Sequence, residues 1–138
     1  MHQSIAKIAQ ASMRQNLPDF KVGQTVRLHQ KIKEGGKERL QVFEGLVIKL
    51  SNGRGIDGTV TVRKVVDGVG VERLFAIHSP NVGKIQITKQ SRVRRSKLYY
   101  MRDRSGKSAR MRGKVLEDQV FEADVKKVEE EGTEVKAE

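Results

Sequence analysis

The stretch Thr59–His78, TVTVRKVVDGVGVERLFAIH, decides how this chain folds. Its first eight residues, TVTVRKVV, are rich in β-branched side chains and alternate in character. A strand sends successive side chains to opposite faces, so alternation of this kind marks a half-buried strand. Asp67-Gly68 then separates two apolar runs. That dipeptide suits a two-residue type I′ hairpin turn, which needs positive φ at both central positions. Val69–His78 resumes the pattern at Val69, Val71, Leu74 or Arg73, Phe75 and Ile77, and Gly70 relieves crowding. The register slips near Arg73, which predicts a β-bulge there.

The same period extends outward in both directions. Upstream, Gln24–Ile32 places Val26, Leu28 and Ile32 on one face and Thr25, Arg27, His29 and Lys31 on the other. Glu34-Gly35-Gly36-Lys37 is a turn. Arg39–Leu50 reads as a longer strand with Leu40, Val42, Leu46, Ile48 and Leu50 in register. Phe43 and Val47 fall on its opposite face, which predicts burial on both sides over part of its length. Gly45 is a candidate bulge or bend. Glu44 shares a face with Leu40, Val42 and Leu46, and is expected to pair with an arginine. Downstream, Ser79-Pro80-Asn81 is a turn and Lys84–Thr88 a last short strand. Five short strands joined by tight turns predict a small antiparallel barrel.

Between the second and third strands lies Ser51–Gly58, SNGRGIDG, which matches G-x-G-x-x-G at Gly53, Gly55 and Gly58. A dinucleotide fingerprint must open a helix. Here a β-branched strand follows, so the segment reads as a turn with Arg54 at its tip, within reach of a phosphate. At the N-terminus, Ile5, Ile8, Ala9, Ser12 and Met13 have helical spacing, with Ser4 as N-cap and Pro18 as stop. This predicts an amphipathic helix over Ser4–Asn16 whose apolar face packs on its own domain.

After Gln90 the alternation ends and charge takes over. Ser91–Lys114, SRVRRSKLYYMRDRSGKSARMRGK, carries ten basic side chains against the single acid Asp103, a net of +9 in a chain whose total is +11. Seven of the ten are arginine, whose guanidinium binds phosphate bidentately and stacks on bases. The chain's two tyrosines, Tyr99 and Tyr100, sit in the middle. Charge this dense repels itself until a polyanion neutralises it, so the segment reads as a nucleic-acid contact surface. Lys97–Arg104 is compatible with one or two helical turns that set Leu98 and Met101 on the barrel, and Ser105–Gly113 is expected to be flexible until bound. Residues 115–138 reverse the sign to a net of −6 and end near Glu129-Glu130-Glu131. Their sparse apolar positions have near-helical spacing, which leaves two readings: a solvated tail or an appended helix. The domain division is therefore 1–17 for the helix, 18–90 for the barrel, 91–114 for the basic segment and 115–138 for the acidic tail.

Composition narrows the function further. The 138 residues hold 28 Lys and Arg against 17 Asp and Glu, and no cysteine. Disulfides and thiolate metal sites are thereby excluded, and a reducing cytosol fits. No apolar run is long enough to span a bilayer, and the N-terminus has no signal-like apolar core, so export is not expected. His2, His29 and His78 have no metal-ligand spacing. The acids fall mostly in turns. No hydrolase or transferase pattern is present, so the reading is not an enzyme, with no cofactor and no metal.

Three strings carry a more specific likeness: KERLQVFEGLVI (Lys37–Ile48), TVRKVVDGVGVERLFAIHSPNVGKIQI (Thr61–Ile87) and RVRRSKLYYMRDRSGKSAR (Arg92–Arg110). In this order they resemble the bacterial large-subunit ribosomal protein L-nineteen family from about Ile5 to Arg112. The resemblance implies an SH3-like barrel, which agrees with the reading of the residues as a mainly β fold, a small antiparallel barrel with an N-terminal α-helix and basic then acidic C-terminal extensions. It implies a structural constituent of the large ribosomal subunit, cytoplasmic and ribosome-bound, that binds rRNA near the subunit interface and helps bridge to small-subunit rRNA. Neighbouring large-subunit proteins are implied as partners, L-fourteen among them, and no membrane. Matching the basic motif residue by residue makes Arg92, Arg94, Arg95, Lys97, Tyr99, Arg102, Arg104, Lys107 and Arg110 the expected rRNA contacts. Arg112 extends the series. Arg54, Arg63, Lys64 and Arg73 are secondary candidates on the loop and strand faces. The acidic stretch from Val115 onward departs from the family pattern. Two other readings of the residues remain: a free factor that binds RNA transiently, and a DNA-coating protein.

Overall fold

The computed structural model describes residues 3–121. The order is helix α1 (Gln3–Ser12), then strands β1 (Gln24–Glu34), β2 (Lys37–Ser51), β3 (Thr59–Val66), β4 (Val69–Ala76) and β5 (Val82–Ser91). Two short 3-10 helices follow, Tyr99–Asp103 and Gly106–Ala109, and then strand β6 (Gly113–Phe121). The six strands form one antiparallel sheet in the order β4-β3-β2-β1-β5-β6. The five strands expected from alternation are all present. The ladder ends at β4 on one side and β6 on the other, with no pairing between them, so the sheet is open where a closed barrel was expected.

Its hairpins are set by turn chemistry. Asp67 and Gly68 take φ of 50° and 79°, the positive pair that a type I′ turn demands, and Val66 pairs with Val69 across them. Gly35 and Gly36 do the same between Glu34 and Lys37. The β3–β4 register then runs unbroken from Thr59↔Ala76 to Val66↔Val69, so the bulge expected at Arg73 is absent. Leu74 consequently points outward and is exposed, while Phe75 is buried.

One side of the sheet holds the main core. Val26 and Leu28 of β1, Phe43 and Val47 of β2, Val60 and Val62 of β3, Phe75 of β4 and Ile85 and Ile87 of β5 join in one buried cluster, completed by Ile77 and Val82. On β2 the inward residues are thus Phe43 and Val47. Leu40 and Val42 are 62% and 46% exposed, because the part of β2 before Leu46 pairs only with β1 and projects as a two-stranded ribbon.

The irregularity of β2 lies at Ile48, not at Gly45. The β2–β3 register jumps between Val47↔Val62 and Lys49↔Thr61, leaving Ile48 without a partner on β3. An extra residue in one strand turns the chain, so Val47 faces the main core while Ile48, also fully buried, faces the other side. Burial of β2 on both faces is therefore confirmed over this part. Gly45 has a different role. A Cβ there would stand 2.5 Å from the Arg63 carbonyl oxygen, so its hydrogen permits close strand packing.

The ends differ from expectation. Helix α1 stops at Ser12, and Ile5 and Ile8 are 57% and 68% exposed, so its apolar face is not packed on the domain. The chain is fastened just after it. Arg14 donates through its guanidinium to the carbonyls of Ser79 (2.7 Å) and Val82, and its backbone N–H donates to His78 Nδ1 at 3.0 Å. Ring nitrogen Nε2 of His78 meets the Arg54 carbonyl at 3.1 Å, which ties in the Gly-rich loop. At the other end, residues 113–121 form a strand paired to β5, not a helix or a loose tail. The rest of the acidic stretch, from Glu122 onward, and His2 lie outside the described residues.

Candidate nucleic-acid interface

The basic segment is a loop fastened at its base. It leaves β5 at Ser91 and returns at Gly113, and these two residues are register partners in the β5–β6 ladder. A Cβ at Gly113 would meet Ser91 Oγ at 2.4 Å, so a glycine is needed where the strands converge. Residues 92–112 therefore form one closed excursion from the sheet.

The excursion is anchored on the outer face, opposite the main core. Leu98 is fully buried and Met101 nearly so, and both pack on Ile48. Leu46, Val93, Tyr100, Ala109 and Met111 surround them. The Ile48 carbonyl, released from the β3 ladder by the bulge, accepts a hydrogen bond from the Leu98 N–H at 2.9 Å. The expectation that Leu98 and Met101 seat a short helix on the sheet is met by the 3-10 turn Tyr99–Asp103. Burying these side chains supplies the apolar stabilisation that a run of like charges lacks.

A second anchor is ionic. Glu72 on β4 receives a bidentate pair from Arg102, at 2.8 and 2.9 Å, and a third bond from Arg63 at 3.1 Å. Arg102 hydrogen bonding, reinforced by the charge of Arg63, holds the Glu72 carboxyl below the usual carboxylate range. Arg63 is the most enclosed member, with its side chain 14% exposed, and it lies over Gly70, where a Cβ would collide with it. Arg102 also lies over the Tyr99 ring at 4.8 Å.

With the loop held this way, six arginines converge. Arg92, Arg94, Arg95, Arg104, Arg110 and Arg112, together with Tyr100, Val93, Ser108 and Met111, line an open concavity of about 510 Å³. No acid is among them. The Arg104 and Arg95 guanidiniums lie over the Tyr100 ring at 4.8 and 5.9 Å from its centroid. The converging cations favour a phosphate-bearing ligand, and the aromatic face offers a stacking surface.

The remaining sequence candidates are spread around this centre. Lys97, Tyr99 and Lys107 are exposed on the same excursion but do not line the concavity. Arg54 is paired with Asp19 at 2.9 Å, both widely exposed. Lys64 lies over the Phe43 ring at 4.5 Å. Arg73 bonds Gln30 and Gln41 and lies over Phe43 and Phe75. Glu44 is paired with Arg27 at 2.9 Å, as its position on the strand led us to expect. Sequence reasoning did not single out Arg14 or Glu72 as anchors. Arg14 follows a helical pattern like any surface cation, and the partners of both residues come from distant parts of the chain.

Among the described residues there is no cluster of metal-ligating side chains, and no helix is long and apolar enough to cross a membrane. The G-x-G-x-x-G stretch leads directly into β3, so it opens no helix for a dinucleotide.

Comparison with known proteins agrees with this geometry. The family model described as "Ribosomal protein L19" matches residues 3–114. "Large ribosomal subunit protein bL19" of Persephonella marina is 53% identical over 112 residues, which span 81% of this chain and 84% of that protein. The arginine-lined excursion and the open sheet thus belong to a structural ribosomal protein: the chain is a member of the ribosomal protein L19 family of the large ribosomal subunit.

Proposed function

We propose that this protein binds large-subunit rRNA through residues 91–114, with 18–90 as the platform. The carrying observation is the concavity in which six arginines converge with no acid among the lining residues. Phosphate contacts dominate in this reading and base contacts are few, because RNA duplexes conceal base edges in a deep, narrow groove. Arg92, Arg94, Arg95, Arg104, Arg110 and Arg112 are the central contacts, and Lys97, Tyr99 and Lys107 extend the surface. Arg102 and Arg63 act first as anchors through Glu72. Arg54, Lys64 and Arg73 are peripheral.

Family membership supports the finer placement. In this reading the protein lies near the subunit interface, touches small-subunit rRNA at a bridge and neighbours other large-subunit proteins, L-fourteen among them, within cytoplasmic ribosomes. In this reading the six-stranded sheet corresponds to the SH3-like barrel of this group in an open form, with β4 and β6 at its two free edges. A salt titration tests RNA binding. With about six phosphates neutralised, affinity for large-subunit rRNA fragments should fall by several powers of ten between low and moderate salt. Duplex DNA of equal length should bind more weakly at matched salt. Equal affinity for the two polymers would favour the DNA-coating reading. Sedimentation in high salt separates an integral component, which stays with the large particle, from a transient factor, which washes off.

A further inference from the structure

The concavity combines converging cations with an aromatic side chain. A duplex presents a convex rail of phosphates, which suits a flat or ridged cationic face. Here the cations converge from several sides on an open hollow of about 510 Å³, within the range of roughly 300–1,000 Å³ that takes a small ligand. Its wall includes an aromatic ring, Tyr100, half-buried against the cluster under Ile48 and therefore held in place. Arg104 and Arg95 lie over that ring at 4.8 and 5.9 Å, so guanidinium groups stand beside the aromatic surface. Proteins that read unpaired RNA stack splayed bases on aromatic rings and guanidinium planes, and flanking cations hold the backbone.

The geometry points to a receptor for a single unpaired nucleotide: a base bulged out of an RNA helix stacks on the Arg104–Tyr100–Arg95 wall, while Arg94 and Arg110 hold the phosphates on either side. This rests on the RNA-binding reading above and adds a structural preference to it. The chain would select a bulged position in rRNA by shape, with stacking that tolerates any base.

The test uses the full chain and three RNA hairpins identical except at one position: fully paired, one unpaired adenosine, and the same bulge with an abasic sugar. Fluorescence anisotropy at fixed salt should give about tenfold tighter binding to the adenosine bulge than to either of the others. Tyr100→Phe should retain the preference, and Tyr100→Leu, which keeps the apolar packing, should remove it. Arg104→Lys, which keeps the charge but loses the planar group, should reduce it. Equal binding to adenosine and abasic bulges would overturn base stacking, because a kinked backbone alone would then suffice. Equal binding to all three would overturn the receptor while leaving RNA binding intact. No measurable binding to any of them, with rRNA fragments also unbound, would overturn the RNA reading itself.

Discussion

Replacing Leu98 by alanine separates the anchoring of the basic loop from the stability of the sheet. Leu98 is fully buried on the outer face, packed on Ile48 and Met101, and takes no part in the main core. Truncating a buried leucine costs about 2–5 kcal/mol, the removed carbons plus the cavity they leave. The loop's buried anchors are few: Leu98 and Met101, helped by the Leu98 N–H bond to Ile48, the Glu72 pairs and the partly buried Val93, Tyr100, Ala109 and Met111. A loss of about 3 kcal/mol is large against so few contacts, so the loop should detach before the sheet unfolds. At 1.4 kcal/mol per tenfold, hydrogen-exchange protection at Leu98 and Met101 should fall by about a hundredfold. Amides of β1 should change far less. RNA affinity should weaken by up to the same factor, because binding must then order the loop. Val47→Ala, in the main core, should instead lower the urea midpoint and the protection of the β1 amides, while loop protection changes less. If Leu98→Ala leaves loop protection and RNA affinity within twofold of the parent, the anchoring argument fails.

The pH dependence of Glu72 has a definite sign. Its carboxyl titrates below the usual range in the folded protein, chiefly through hydrogen bonding to Arg102. Its contribution is therefore complete above the ordinary carboxylate pKa of about 4.5 and is lost as pH falls through the lowered folded value. In Glu72→Gln the urea midpoint should drop at neutral pH, and the difference from the parent should shrink on acidification; a constant difference would contradict this. Gly45→Ala places a Cβ 2.5 Å from the Arg63 carbonyl and 2.9 Å from Val62 Cγ1, and should cost about 1–3 kcal/mol of stability by chemical denaturation. Arg14→Gln removes charged donors from the carbonyls of Ser79 and Val82 and should cost roughly 2 kcal/mol, with faster amide exchange in the loop from Ser79 to Val82.

The strands were legible because their signals are local. Alternation and the Asp67-Gly68 and Gly35-Gly36 turns depend on a few adjacent residues, and the structure contains them. The two-sided burial near Ile48 was visible as apolar residues in both registers, although the bulge that causes it was placed at Gly45. What the sequence concealed depends on partners distant in the chain. Residues 113–121 have sparse apolar positions and acids, a poor strand pattern by themselves, and pair because β5 offers an open edge. Ile5 and Ile8 have core-like spacing, yet nothing in their spacing says whether a surface will cover them. Within the basic segment, charge marked residues 91–114 as the candidate surface. It did not distinguish Arg102, which is occupied by Glu72, from Arg94 and Arg95, which line the concavity.

The claim on which the rest depends is that the arginines of the concavity fasten this protein to the large subunit. The direct measurement is the incorporation of an Arg94→Ala/Arg95→Ala variant into large ribosomal subunits, quantified in sedimented particles after a high-salt wash. Because both side chains are exposed, the variant should fold like the parent while its retention drops well below that of the parent. Retention equal to the parent's would contradict the account.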